Sequence, residues 1–297
     1  MTQTKIALLT DRGLVRVAGD GAAKLLQGLV TNDMDRLQAA PAIHAGLLSP
    51  QGKILFEFFI VKDGGAFLLE TARDKTADLV RRLMMYKLRA NAVIEDVSSQ
   101  YTVAAFWDGE PAEGDARFAF PDPRLPALGF RARCSFANDW ALGESGAEPA
   151  SAEDYHARRV GLGVPEGGKD YALGDTFPHE ALFDQLGGVS FAKGCFIGQE
   201  VVSRMEHRGA ARKRIVQVTG AAPLPPPGTP VRAGAVPIGA MGSSAGARGL
   251  ALLRLDRVAE AQDKGEPIHA DGVTLAVAVP PFARFSIRPD VAPPTTP

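Results

Sequence analysis

The run KILFEFFIV at residues 53–61 constrains the fold more than any other stretch of this chain. It is long, apolar and rich in aromatic and β-branched side chains, which marks a strand. The turn-like SPQG precedes it, KDGG follows it, and AFLLET then returns as a hairpin partner. The neighbouring segments alternate in type. LVRVAGD (14–20) predicts a short strand entering a turn, and GAAKLLQGLVT (21–31) a short helix. In DKTADLVRRLMMYKLRA (74–90), Val80, Leu83, Met84 and Leu88 share one helical face, with acids early and basic residues late.

Further along, AVIEDV (92–97) and YTVAAFW (101–107) predict strands of a second lobe. Residues 108–128 are rich in glycine, proline and acids and predict loop, in which DPRLPALG forms a proline-fixed turn presenting Arg124. Residues 151–162 predict a helix closing on glycines, followed by a long glycine-rich connector. Beyond Arg214 the character changes: IVQVTG, GLALLRL and VTLAVAV are short strands separated by LPPPGTP and MGSSAGARG, a small all-β lobe. A chain of 297 residues exceeds one ordinary domain. The expected class is α+β, with an N-terminal lobe over 1–92, a middle lobe over 93–210, an all-β lobe over 211–287 and a disordered tail over 288–297.

Composition narrows the partners. Hydrophobic content of 45% supplies a core, and a net charge of −1 argues against bulk attraction to nucleic acid or to a membrane. The start, MTQTKIALLTDRG, holds only the short apolar stretch Ile6 to Leu9, neither a secretory core nor a spanning helix. Two cysteines, Cys134 and Cys195, make no disulfide framework, so a reducing, cytoplasmic setting is expected.

KGCFIGQEVVSRMEHRG (193–209) holds the residues that bear chemistry. Cys195 stands among glycines, a lysine, an amide and a carboxylate, just ahead of a predicted helix. Unpaired N–H groups at that helix start and the Lys193 cation favour a thiolate, and Gly194 and Gly198 let the chain turn and leave the sulfur accessible. The alternative is a small buried hydrophobe, as free cysteines commonly are. The basic run Arg204, His207, Arg208, Arg212, Lys213 and Arg214 is either a solvated helix end or a seat for carboxylate or phosphate groups. Glu180 follows Phe177-Pro178-His179 as a first-turn residue. It is either a capping group or a carboxylate able to take paired N–H donors from a heterocycle. No dinucleotide, Walker, zincin or nucleophile-elbow pattern occurs. The histidines show no metal-ligand spacing, and one accessible cysteine is too few for a permanent cluster, so no resident metal is expected.

The motif resembles K-G-C-[FY]-x-G-Q-E-x-x-x-[RK] of the YgfZ family, folate-binding proteins related to the aminomethyltransferase (T-protein) of the glycine cleavage system. Lys193, Gly194, Cys195, Phe196, Gly198, Gln199, Glu200 and Arg204 match without departure. LLQGLVTNDMDRL (25–37), LLSPQGKILFEFFI, YKLRANAVIEDV, RRVGLGVPEG and GARGLALLRLD extend the likeness over most of the chain. The resemblance implies a three-lobed ring with a central channel for tetrahydrofolate, bound non-covalently. It implies that Glu180 grips the pterin and that Asn32 and Asp33 line the channel, with Arg208 or Arg212 toward the glutamate tail. It also implies a role with iron–sulfur proteins, [4Fe–4S] enzymes and tRNA-thiolating enzymes among them, centred on Cys195 and helped by Lys193. The motif's other members brace the loop. One departure matters: the T-protein catalytic aspartate falls on Phe56, which can neither take nor orient a proton, and Glu57 points to the opposite face of its strand. Ordinary aminomethyl transfer is therefore not expected; the alternative is a folate-dependent one-carbon transferase with Cys195 as nucleophile.

Overall fold

The KILFEFFIV run has hydrogen-bonded neighbours on both sides. In a computed structural model, which describes residues 3–113, 119–135, 146–208 and 211–288, it forms β4 (Ile54–Asp63). An antiparallel sheet runs β3 (Ala42–Leu48), β4, β5 (Ala66–Ala72), β2 (Arg12–Ala18), β6 (Val93–Asp96). Alternation sorts β4 between two cores. Phe56, Phe58 and Ile60 pack with helices α1 (Ala22–Leu29) and α2 (Thr76–Lys87), while Val61 packs with Leu14, Leu68, Val103 and Trp107 on the other side. That second core joins a further sheet of β10 (Glu148–Pro149), β1 (Lys5–Leu8), β7 (Tyr101–Trp107), β9 (Phe130–Ser135) and β8 (Ala119–Pro121), parallel only at β1/β10.

The chain divides into two compact units, Met1–Tyr155 with Leu186–Gln199, and His156–Gln185 with Glu200–Pro297. The second contains a seven-stranded antiparallel sheet ordered β16, β15, β12, β13, β14, β11, β17. In chain order these are β11 (Lys213–Thr219), β12 (Pro230–Ala233), β13 (Val236–Ala245), β14 (Arg248–Arg254), β15 (Ile268–Ala270), β16 (Val273–Thr274) and β17 (Ala276–Ala278). Its two outermost strands, β16 and β17, are separated in the chain by Leu275 alone. The sheet must therefore curl until its edges nearly meet, a nearly closed barrel that leaves little free edge. Helix α3 (Ala152–Leu162) ends at Gly163, whose φ of 81° suits glycine. Buried Arg159 on α3 then orders the glycine-rich connector, donating to Val164 O and Asp170 Oδ2 at 2.7 and 2.6 Å and to Ser243 Oγ of β13.

Several expectations need correction. The buried residues of α2 are Thr76, Leu79 and Leu83, whereas Met84 and Leu88 are exposed: apolar residues occupy two stripes of this helix, and periodicity cannot choose between them. Arg124 is not presented by its turn. It is buried, donating to Asp122 at 3.0 and 2.8 Å and to Tyr155 Oη at 3.1 Å. The stretch 108–128 includes strand β8 and a short 3-10 turn, Pro126–Leu128. The C-terminal lobe is not all β, because α5 (Leu255–Lys264) buries Leu255, Val258 and Ala261 and stops at Gly265, φ 64°. The boundary drawn at residue 92 is crossed both ways, since β1 pairs with β7 and β6 pairs with β2. Residues 289–297 of the expected tail lie outside the described residues.

Between the two sheets of the first unit lies a buried ionic network. Arg12 Nε meets Glu70 at 3.2 Å, Arg131 reaches Glu70 at 3.5 Å and Asp122 at 3.6 Å, and the Arg131 guanidinium stacks over Phe59 and Tyr155. Burial alone would raise the Asp122 pKa, but Arg124 and Arg131 override it and hold the carboxyl below its usual range. Breaking such a network by deleting one partner strands its opposites. Glu70→Gln is expected to lower unfolding free energy by about 3–5 kcal/mol in urea denaturation, because two arginines lose their carboxylate; a loss under ~1 kcal/mol would show the network to be dispensable.

Candidate functional site

The motif cysteine owes its position to residues far back in the chain. Helix α1 has no basic residue in its last turn, and its final carbonyls need donors. Lys193 supplies them. Its buried Nζ donates to Gln27 O at 2.8 Å, Val30 O at 2.7 Å and Asn32 O at 2.8 Å, and lies 5.2 Å from the centre of the Phe196 ring. A cation at a helix C-terminus is also favoured by the helix dipole. Burial pushes the Lys193 pKa down from 10.5 to about 8, against the pull of Asp33. All three ammonium hydrogens thus hold the loop.

The strand-like lead-in to the motif is stitched to the same block. Thr31 Oγ1 donates to Gly188 O and accepts from Gly46 N, Ser190 N donates to Thr31 O, and Asn32 Nδ2 donates to both His44 O and Gly187 O. The Asn32 carbonyl accepts from Asp33 N and Arg36 Nη1, so the buried amide is satisfied internally. Asp33 accepts from Gln27 Nε2 and Asp35 N, the latter as a turn cap. These two residues thus build the block that seats the motif. After the cysteine, Gly198 (φ 80°) is required twice over: a Cβ there would lie 2.6 Å from Ser49 O. Gly194 meets no such demand, and nothing lies within 4 Å of the Cβ it lacks. Gln199 Oε1 accepts from Phe196 N and opens helix α4 (Gln199–Arg208), on which Glu200 pairs with Arg204. Between these anchors Gly194 and Cys195 are exposed. The buried-hydrophobe alternative for Cys195 is thereby removed.

On β4, Phe56 is buried in the helix-side core, as a residue with no proton chemistry should be. Glu57 faces the other way and meets His44 Nε2 at 3.0 Å, while His44 Nδ1 lies 3.3 Å from Leu186 O. The sequence gives no local signal for this pair, whose members come from adjacent strands.

The second unit carries a cavity of about 440 Å³, lined by Phe177, Glu180, Val201, Met205, Arg212, Lys213 and Arg254. Glu180 Oε2 accepts from Phe177 N at 2.8 Å, and among the described residues no group bonds its other oxygen. Arg212 and Lys213 are exposed and form no ion pair among the described residues, whereas Arg254 is paired with Asp256. Lys213 and Arg254 are partners across β11 and β14, which places two cations side by side at the rim. The side chain of Arg208 lies outside the described residues. Arg214 is committed to Asp184 and to His179 O, and His179 Nε2 to Glu206 Oε2. His179, Asp184 and Glu206 could together face a metal ion, yet the Arg214 guanidinium already occupies both Asp184 oxygens.

Comparison with known proteins gives the family. The chain is 32% identical over 305 residues to the human mitochondrial iron–sulfur cluster assembly factor IBA57, covering 92% of this chain and 83% of that protein. The chain belongs to the IBA57 family. Residues 212–285 match the CAF17 C-terminal β-barrel domain. Fungal IBA57 homologues from Mycosarcoma maydis and Neurospora crassa are each 34% identical, over 75% and 70% of this chain. The chain spans only 59% and 52% of their length. The crystal structure of glycine cleavage system aminomethyltransferase T from Bartonella henselae superposes with a TM-score of 0.74 over 95% of this chain and 87% of that one, at 16% identity, a likeness of fold. The fold is therefore aminomethyltransferase-like with a C-terminal barrel, and the YgfZ resemblance is near but not exact. The IBA57 relatives are mitochondrial proteins, which overturns the cytoplasmic setting expected above. Cysteine usage reports redox poise, not which compartment maintains it. Among the described residues no helix is long and apolar enough to cross a membrane.

Lys193 gives a prediction with a defined sign. Lys193→Met leaves three carbonyls without their donor and is expected to cost roughly 2–4 kcal/mol of stability. With a folded pKa of about 8 and an unfolded value near 10.5, the unfolded chain binds more protons in that window. This group's contribution is thus full above 10.5, rises with pH between the two values, and is lost as pH falls through 8. Urea midpoints from pH 7 to 10.5 should show that rise in the wild type relative to Lys193→Met. Parallel profiles would refute it.

Proposed function

We propose that this chain is an accessory factor in the assembly or repair of iron–sulfur proteins, with [4Fe–4S] enzymes and tRNA-modifying enzymes among its clients. Cys195 is its working group, and a tetrahydrofolate, held non-covalently, is its small ligand. The observation that carries the reading is an exposed thiol on a loop fixed on both sides, by the Lys193 anchor before it and by Gly198 and Gln199 after it. A fixed, accessible sulfur suits an iron or sulfur cargo that must be received and passed on. The names of the relatives, iron–sulfur cluster assembly factors, support the same reading.

The folate belongs in the second-unit cavity by its chemistry. The open Glu180 oxygen suits N–H donors of an amino-pyrimidinone edge, Phe177, Val201 and Met205 suit a flat ring, and the free cations Arg212 and Lys213 suit carboxylates of a glutamate tail. Binding there is expected to fall about 10–100-fold in Glu180→Gln, since a hydrogen bond to a charged group contributes roughly 1.5–3 kcal/mol. Titration calorimetry with tetrahydrofolate reads this, and unchanged affinity would move the ligand elsewhere. Against the one-carbon transferase reading stand the buried Phe56 and the engagement of His179 with Glu206, which leave that chemistry short of a base.

The role itself is tested in cells lacking this protein, resupplied with wild type or Cys195→Ala at matched levels. Under oxidative stress, [4Fe–4S] enzyme activity should recover with the wild type alone. Equal recovery with both would remove Cys195 from the mechanism, and recovery with neither would remove the iron–sulfur role.

A further inference from the structure

Six large apolar side chains are strongly exposed among the described residues, and four of them fall within one short segment: Met84, Met85, Leu88 and Val93. They do not belong to the face by which α2 packs, which is Thr76, Leu79 and Leu83. Leu88 is the sharpest case. It follows the last residue of α2 with φ 42° and ψ −109°, and 88% of its surface is exposed. A helix that leaves through positive φ ordinarily uses glycine or asparagine, because a Cβ is disfavoured there. Leucine at this position adds backbone strain to apolar exposure. Strain of this kind concentrates at sites of contact, and clustered apolar exposure marks interaction surfaces.

The surrounding charge states what kind of partner fits. Arg81, Arg82, Lys87 and Arg89 lie in the same segment as the exposed apolar residues, and no acidic residue occurs between Asp78 and Glu95. Of these cations only Arg81 has an ion-pair partner among the described residues, Asp78. We propose that the C-terminal end of α2, from Arg81 to Val93, is a docking surface for a protein whose matching face is apolar at its centre and ringed by Asp and Glu. A second copy of this chain would set cations against cations and is disfavoured. A membrane fits less well. Interfacial helices pair lysines and arginines with Trp, Phe and Leu, whereas this patch, although it holds Lys87 and Leu88, has no Trp or Phe and carries two methionines and three arginines, residue types enriched at protein interfaces. The proposal is independent of Cys195 and of any folate.

The test places a photo-crosslinking benzoylphenylalanine at Leu88 or at Met85 in the full chain, in cells, with the exposed Gln262 of α5 as control position. Mass spectrometry then identifies the cross-linked segment. Cross-links from positions 85 and 88 to an Asp/Glu-rich protein segment are expected, falling about tenfold or more when Arg82→Glu and Arg89→Glu are introduced together. Leu88→Gly, expected to melt no lower than the wild type because it relieves the positive φ, should lose the partner by co-purification with the identified protein. Cross-links to lipid, to a second copy or to a basic or neutral segment would overturn the proposal. So would links that survive the charge reversal, or a yield no higher than that from position 262.

Discussion

A single ammonium group holds the motif loop in place. Lys193 donates to three carbonyls at and beyond the end of α1, doing what a basic residue in the helix's own last turn would ordinarily do. The arrangement works in both directions. Helix α1 gains its missing cap, and a segment without regular secondary structure gains an anchor one residue before the exposed Gly194-Cys195. The remaining ties, from Thr31, Asn32 and His44 to Gly188, Gly187 and Leu186, set the path of the chain up to that anchor. Exposure of the Cys195 thiol removes packing as a means of fixing its position. Charge-assisted hydrogen bonds directly upstream supply the rigidity that burial cannot.

This division of labour explains which parts were legible in the sequence. Strands β2, β4 and β5, helix α1 and the start of α4 are written in local pattern, period two or 3.6 with turn residues at the ends. The accessibility of Cys195 was legible in the polar, glycine-flanked run around it, and the sulfur is exposed. The function of Lys193 was not, because its acceptors lie 161 to 166 residues away. The role of Asn32 was hidden for the same reason, because its amide donates to His44 O and Gly187 O, backbone that only the folded chain brings near. The partners of Asp33, Gln27 and Asp35, are local. Arg124 was misread because a proline-fixed turn says where the backbone bends, not that Asp122 two residues earlier will fold the guanidinium inward. Helix α5 was overlooked although its signal exists: Leu255, Val258 and Ala261 recur at helical spacing and Gly265 follows as a stop. The strand-rich surroundings outweighed it.

The two faces of β4 place opposite demands on neighbouring residues. Phe56 contributes to the core under α1 and α2, so a carboxylate at that position would be buried among Leu26, Leu47 and Phe58 without a partner. Glu57 survives next door because the opposite face offers His44, and because Arg124 contributes a favourable charge nearby. The strand thus keeps an apolar side chain on its core face and, one residue on, an acid engaged by His44 on the other.

The second-unit cavity follows a different logic from the motif loop. Among its cations Arg254 is neutralised by Asp256 and Arg214, just beyond the rim, by Asp184, while Arg212 and Lys213 form no ion pair among the described residues. Glu180 is likewise half engaged, one oxygen held by Phe177 N and the other open. In a chain with 33 basic and 34 acidic side chains, counter-charges are not scarce. The open carboxylate oxygen and the two cations give this apolar-walled cavity a polarity of its own, set by side chains that the barrel strands and the Phe177–Glu180 turn hold in register.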